Sequence, residues 1–382
     1  MVIRLISTIS SAADSRVEPI VKMIESFGAI AKPEEVGGTN STYVHVLVLD
    51  NTETGARGCS LPDYPFRQLD SVESVERVSV PNISLRGNGQ HHVEIGGDTL
   101  GLGLPCVPVM GQCASDTNIY RTFERLAKHG IRHARGCGRK PRSNAYSFRG
   151  YGKKGWLWAL EAAKASGMRS YWTEVCESGD IDIVRRIREE VRFEGDLVLW
   201  VGASGVWNYR VLEALGNCRD AIAMVKHSPF MSNVKQFIAR AEFVVNGPMY
   251  YQEDGAIDVE RSLPTGNDRL MLCVRGLENR DEHARRRFYA NVDWIHALHT
   301  QVWTPIVWDP SHPAGKREIV AQTLTEGMAH HPEAVMIEAH CDPSKGQCDD
   351  INQSVTMDQV PELLEIIAQS NALLEPKQLE VA

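Results

Sequence analysis

Residues 305–340 read PIVWDPSHPAGKREIVAQTLTEGMAHHPEAVMIEAH, and they spell one complete strand–helix–strand unit. The stretches 305–309 and 335–340 are short apolar runs that turn polar only toward their carboxyl ends, at Asp309 and at Glu338 and His340. Between them, 318–329 reads as a helix. A strand with one wet face alternates apolar and polar residues; a strand that is apolar throughout is covered on both faces. The same alternation of strand and helix recurs upstream. Strands are expected at 106–112, 131–136, 169–175, 197–202, 221–226 and 269–275, and helices at 117–129, 155–166, 181–190, 207–215 and 233–245. Eight doubly covered strands in about 270 residues predict a closed (β/α)8 barrel (a TIM barrel) rather than an open doubly wound sheet.

Ahead of the barrel the chain reads as a small α+β domain. Residues 1–8 are strand-like. Residues 15–27 carry Val17, Ile20, Val21 and Ile24 at helical spacing. TYVHVLVL at 42–49 is a strand by composition. A turn-rich stretch at 51–65 follows, then a short helix at 69–75 and a strand at 77–80. This β-α-β-(α)-β order predicts a ferredoxin-like domain over 1–95, with the barrel domain over 100–375. The glycine-rich segment 87–103 reads as a short hairpin that links the two.

A length of 382 residues suits one large barrel plus a modest module. The net charge is −8, and no basic face stands out, which argues against a nucleic-acid partner. The local cluster Arg135, Arg139, Lys140 and Arg142 points instead to a small anion. No segment approaches the roughly 18 consecutive apolar residues that cross a bilayer, so no membrane partner is expected. The apolar stretch at the start is too short for a signal peptide. Nine scattered cysteines without a CxxC pair read as reduced thiols of a cytoplasmic protein, with no structural zinc site.

Barrel enzymes build their sites at the carboxyl ends of the strands. Here those ends are polar. They carry Cys113, Arg135 to Arg142, Glu174, Lys226 with His227, Arg275, Asp309 to His312, and Glu338 to His340. A thiol, an imidazole and carboxylates converging on the axis suit a borderline divalent ion. The cations beside them suit phosphate groups.

RGCGRKPRSNAYSFRGYGKKG (135–155), IVWDPSHPAGKREIV (306–320), MIEAHCDPSKGQCDD (336–350) and GQCAS (111–115) together carry a specific resemblance. The chain resembles, over nearly its whole length, the 3-deoxy-7-phosphoheptulonate synthases that bear an N-terminal ferredoxin-like domain. It is more distantly similar to the 3-deoxy-octulosonate 8-phosphate synthases. The resemblance implies a metal-dependent aldol-type condensation of phosphoenolpyruvate with erythrose 4-phosphate, releasing phosphate, as in the shikimate pathway of aromatic amino acid biosynthesis. It places the ligands of a divalent metal (Mn, Fe, Co or Zn) on Cys113, His312, Glu338 and Asp349, with Asp350 adjoining the last in a loop one residue longer. It places phosphoenolpyruvate on Arg135, Lys140, Lys226 and Arg275, and the aldose phosphate on Arg142 and Ser143. Lys140 is a candidate proton donor, and Asp309 is expected to meet the acceptor or a metal-bound water. The resemblance also implies a homo-oligomer and a regulatory role for the N-terminal domain.

Departures cluster at substrate positions. Where the family has an arginine after the fourth barrel strand, this chain has Ser204, and Arg139 is the candidate to replace that cation. His227 and Ser228 likewise stand in place of the family's Arg-Gly. Three readings follow: the family reaction, a relative in specialised metabolism with a different aldehyde acceptor or enol donor, and a non-catalytic regulatory or partner-binding barrel.

Overall fold

The computed structural model describes residues 1–37, 42–56, 58, 61–76, 92–142, 145–246, 250, 266–279, 281, 283–347 and 349–374. The described residues of 1–81 belong to the smaller of two compact units, and those of 82–247 and 265–382 to the larger.

The smaller unit is a four-stranded antiparallel sheet in the order β2-β3-β1-β4, formed by β1 (Val2–Leu5), β2 (Ile30–Gly37), β3 (Thr42–Leu49) and β4 (Val72–Glu76). Helix α1 (Val17–Ser26) connects β1 to β2, and a single turn, α2 (Tyr64–Arg67), precedes β4. Ile3 and Leu5 of β1, Ile20 and Ile24 of α1, and Val44 and Val46 of β3 make its core. One strand was missed in the sequence, and one reading is corrected. IAKPEEVG forms strand β2, which its charges and Pro33 concealed; β2 is an edge strand, where a missing N–H and exposed charges are tolerated. The helix expected at 69–75 is largely strand β4, because pairing Ile3 with Val75 and burying Val75 outweighs local propensity. The strand expected at 77–80 lies outside the described residues.

In the larger unit the glycine-rich segment does form a hairpin, β5 (Val93–Ile95) and β6 (Asp98–Leu100), turning at Gly96-Gly97. It packs with the barrel. Val93, Ile95 and Leu100 join Val109, Trp172, Val198, Ile222, Met271 and Met336 in one buried cluster inside the strands. The hairpin is fastened from outside by Gly96 N–H donating to Asp196 Oδ2 at 2.7 Å and by His133 Nε2 meeting Asp98 Oδ2 at 2.9 Å.

The eight expected strands close a parallel barrel: β7 (Val107–Gly111), β8 (His133–Arg135), β9 (Ser170–Val175), β10 (Asp196–Val201), β11 (Ile222–Lys226), β12 (Leu270–Val274), then β15 (Ile306–Trp308) and β16 (Ala334–Glu338). A short hairpin, β13 (Leu277–Glu278) and β14 (Phe288–Tyr289), rises from the loop after β12. Register runs without a bulge along most of the ring, for example Leu197 beside Tyr171 and Val201 beside Val175. Strand β10 shows why the runs are unbroken. Leu197, Leu199 and Val201 face the helical layer, while Val198 and Trp200 fill the barrel interior. That layer includes α3 (Ile119–Lys128), α4 (Lys153–Ala165), α5 (Ser178–Val191), α6 (Tyr209–Asn217), α7 (Val234–Asn246), α8 (Asp293–His299), α9 (Ser311–Ala314), α10 (Val320–Met328) and α11 (Val360–Ala372). Among the described residues no helix is long and apolar enough to cross a membrane.

Candidate active site

The strands deliver their polar ends to one mouth. A cavity of about 490 Å³ opens there, lined by Lys140, Arg142, Glu174, Ser204, Lys226, Arg275, Arg287 and His312 among others. Five of these side chains are cations against one carboxylate, a balance that favours an anionic ligand.

The deepest cation is Arg135, at the end of β8 and fully buried. Its guanidinium stacks 5.2 Å from the centre of the Trp200 ring and lies 3.2 Å from Glu338 Oε1, without hydrogen-bond geometry. Buried polar groups almost always have partners, so a guanidinium in this state suits a polar ligand arriving from the cavity. Lys140 Nζ donates to Glu174 Oε2 at 2.7 Å. Burial pulls the Lys140 pKa down, but Cys113 and Glu174 outweigh it and hold the ammonium well above its usual value. Gly202 permits this pair, since a Cβ there would collide with Glu174 Oε1.

Lys226, at the end of β11, is ion-paired with Asp309, at the end of β15. The same carboxylate meets His312 Nδ1 at 2.7 Å and accepts from the His312 N–H at 3.1 Å. Burial raises the Asp309 pKa, but the positive neighbours, Lys226 among them, hold it well below the usual carboxylate range. Burial pushes His312 down to about 4, so its imidazole is neutral at pH 7. With Nδ1–H committed to Asp309, the lone pair is on Nε2, which lies 3.7 Å from Glu338 Oε1. Glu338 Oε2 accepts from Gln353 Nε2 at 2.7 Å.

A neutral histidine oriented by a carboxylate, facing a carboxylate that is itself held by an amide, has the form of ligands with their outer partners. His312 and Glu338 therefore fit a divalent ion in chemistry and protonation. Cys113 is buried near Arg135 and Lys140. The side chain of Asp349 lies outside the described residues. Among the described residues no three Cys, His, Asp or Glu side chains form a ready-made metal cluster.

The remaining expected residues divide. Ser204 lines the cavity, as do Arg142 and Arg275. Arg142 Nε donates to Phe148 O at 3.0 Å, shaping the loop after β8. Ser143 lies outside the described residues. Arg139 is not brought to the cavity wall. It turns to Glu177 at 3.1 Å and Asp180 at 3.3 Å, at the start of α5. The sequence reading missed Arg287, Gln353 and the aromatic residues of the wall, Trp207, Phe230 and Phe288. The signal for Arg287 was hidden in the run Arg285-Arg286-Arg287, which sequence alone cannot orient.

A closed (β/α)8 barrel with buried arginine, lysine and histidine converging on one cation-lined cavity is an enzyme architecture suited to anionic substrates. The model of the DAHP synthetase I family matches residues 87–375, and the chain belongs to that family, as a 3-deoxy-7-phosphoheptulonate synthase-like enzyme. Phospho-2-dehydro-3-deoxyheptonate aldolase of Thermotoga maritima is 26% identical over 305 residues, covering 78% of this chain and 80% of that protein. The crystal structure of the Thermotoga maritima DAHP synthase matches at a TM-score of 0.72 and 23% identity over 98% of both chains. A truncated form of 3-deoxy-D-arabino-heptulosonate 7-phosphate synthase from the same organism matches at 0.60 and 23% identity, over 76% of this chain and 95% of that one.

Proposed function

We propose that this enzyme joins phosphoenolpyruvate to a phosphorylated aldose, erythrose 4-phosphate, and releases phosphate. The observation that carries the reading is the buried, hydrogen-bond-lacking guanidinium of Arg135 beneath a cavity walled by Lys140, Arg142, Lys226 and Arg275. An enol phosphate that also bears a carboxylate needs several fixed cations at once. Arg135, Lys140, Lys226 and Arg275 would hold it, and Arg142 with Ser143 would hold the aldose phosphate.

Cys113, His312, Glu338 and Asp349 would hold a divalent metal (Mn, Fe, Co or Zn), which supplies Lewis-acid polarisation of the aldehyde carbonyl when bound. The enol carbon forms the new C–C bond with the aldehyde carbon, water adds at C2, and the C–O bond to phosphate breaks. Lys140 is held protonated beside Glu174 and so can deliver a proton to the developing alkoxide. Asp309 fixes the His312 tautomer and, through Lys226, keeps an ionised carboxylate at the mouth.

A second reading has one observation in its favour. At the β10 position the wall offers Ser204 and Trp207 in place of a cation, and Arg139 is engaged elsewhere. That supports a relative in specialised metabolism that takes a different aldehyde or enol donor. Phosphate release measured with phosphoenolpyruvate and a panel of aldoses, with and without added Mn, decides between the two. Release with erythrose 4-phosphate alone supports the first; release only with another aldehyde supports the second. No release from phosphoenolpyruvate with any aldehyde overturns the first.

A further inference from the structure

The hairpin after β12 is seated on the turn that carries His312, and two glycines make the seat. Gly276 has φ +92, and a Cβ there would lie 2.9 Å from Phe288 Cβ and 3.0 Å from Pro313 Cγ. Gly315 has φ +67, and a Cβ there would lie 2.5 Å from Arg287 Cβ. Both glycines therefore leave the room that Arg287 and Phe288 occupy against the Asp309–His312 turn, in a backbone conformation that other residues resist. Hydrogen bonding fixes the base of the same hairpin: Gly276 N–H donates to Asn291 Oδ1 at 3.0 Å.

What this seat holds is a cation pair on one ring. The guanidinium carbon of Arg275 lies 4.6 Å from the centre of the Phe288 ring, and that of Arg287 lies 5.0 Å from it. Both arginines line the cavity. Stacking on an aromatic face fixes the plane of a guanidinium, and with it the direction from which its edge can meet a planar or tetrahedral anion. Arg287 Nη1 also reaches Gln353 Oε1 at 3.5 Å, and Gln353 donates to Glu338 at 2.7 Å. The neighbouring Arg286 is turned away, in a two-pronged pair with Glu326 at 2.6 and 2.5 Å. The chain thus separates two adjacent arginines: one braces the loop and the other faces the cavity.

We propose that Arg287 is a binding residue of this site, closing with Arg275 on a phosphate monoester dianion at the β12 side of the mouth. The inference rests on the reading that the cavity takes phosphorylated substrates. The ring of eight strands puts the β12 side opposite the β8 side, where Arg142 is found. The mouth then has two cationic poles, one for each end of a pair of phosphorylated reactants. With Arg275 placed on phosphoenolpyruvate and Arg142 on the aldose phosphate, the β12 pole receives the phosphate of the enol donor.

Calorimetry on the full-length chain with Mn decides it, using phosphoenolpyruvate, erythrose 4-phosphate and inorganic phosphate as separate probes. Arg287→Ala is expected to weaken phosphoenolpyruvate and inorganic phosphate roughly ten- to a hundredfold, the usual effect of losing a charge-assisted hydrogen bond. Arg287→Lys should restore little, since an ammonium lacks the stacked fork. Arg286→Ala should leave all three affinities within about twofold. Loss with phosphoenolpyruvate and inorganic phosphate supports the proposal; loss confined to erythrose 4-phosphate overturns it. Unchanged affinities in Arg287→Ala overturn the proposal, as does an equal loss in Arg286→Ala, which would mean a loop effect. A parent that binds these probes through Arg287 but condenses none of them overturns the proposed reaction and leaves this inference standing.

Discussion

The backbone N–H of Arg275 donates to Nε2 of His227 at 2.9 Å, while His227 Nδ1 is 2.9 Å from the Ser228 carbonyl oxygen. The two contacts admit one tautomer, with the proton on Nδ1, and they require a neutral ring. His227 is fully buried between Phe237 and Trp294, at ring-centre distances of 5.5 and 5.1 Å. It therefore sets where Arg275 leaves strand β12.

A pH dependence of stability follows from this contact. Burial pushes the His227 pKa down to about 3, from an ordinary 6.5, and the nearby Arg275 and Lys226 act in the same direction. A pKa that is lower in the folded than in the unfolded state gives stability that is whole above about pH 6.5 and is lost as pH falls toward 3. Melting temperature should therefore fall on acidification from pH 7.5 to 4.5. In His227→Gln, which keeps an acceptor but does not titrate, the fall should be shallower. The variant should also lose about 1–3 kcal/mol at neutral pH from imperfect replacement of the buried bonds. Identical slopes for parent and variant would remove His227 as the source.

Ser204 gives the second prediction. It lines the cavity at the β10 position, where the wall otherwise offers Trp207. Ser204→Arg adds a fork that can reach an enol phosphate, and phosphoenolpyruvate should bind roughly tenfold or more tightly. Arg139→Phe, by contrast, should leave that affinity unchanged within about twofold, because Arg139 is paired with Glu177 and Asp180. A large loss in Arg139→Phe would show that the loop after β8 rearranges when the substrate binds.

The third prediction concerns the metal. His312 and Glu338 face each other with their outer partners in place, and Cys113 is the expected thiolate. Cys113→Ser should bind Mn or Zn at least tenfold more weakly, since a hydroxyl is a poor ligand for a borderline-soft ion. Equilibrium dialysis of the purified variants reads this directly, without reference to turnover. Metal binding by Cys113→Ser equal to that of the parent would exclude the thiol from the site.

The parts of the molecule that were legible in sequence were those with a long-range pattern. Strands such as SYWTEV and DLVLWV are buried on both faces, so their apolar runs are all but unbroken, and all eight were found, six inside the expected ranges and β10 and β16 beginning one residue earlier. Edge strand β2 was illegible because an edge tolerates Pro33, Lys32 and Glu34. VESVE was misread as helix because its strand character comes from pairing with β1, which is seventy residues away in sequence and invisible locally. The cations at strand ends were visible as residues, but their directions were not. Arg139 and Lys140 are adjacent, yet one turns to α5 and the other to Glu174. Arg286 and Arg287 part in the same way, and a two-residue strand such as β14 gives no period by which to tell them apart.

The hairpin β5–β6 gives the last prediction, which asks where the barrel begins. The N-terminal unit has its own core, built on Ile3, Leu5, Ile20 and Val46, and an independent core is the condition for independent folding. Val93, Ile95 and Leu100 belong instead to the cluster inside the barrel, and all three are buried. A chain starting at residue 88 should therefore keep a cooperative thermal transition and its far-ultraviolet circular dichroism per residue. A chain starting at residue 103 should not. Without the hairpin, Val109, Trp172 and Met336 lose their cover. Exposing the sites of three aliphatic side chains costs about 1.5–3 kcal/mol each, or about 5–9 kcal/mol together, which is comparable to the whole stability of many domains. Loss of the bonds from Gly96 to Asp196 and from His133 to Asp98 adds to it. The two truncations differ by only fifteen residues, so chain length cannot account for a difference between them. Equal stability of the two would mean that the barrel floor closes without the hairpin. Failure of the longer one would mean that the first unit is needed for the second to fold.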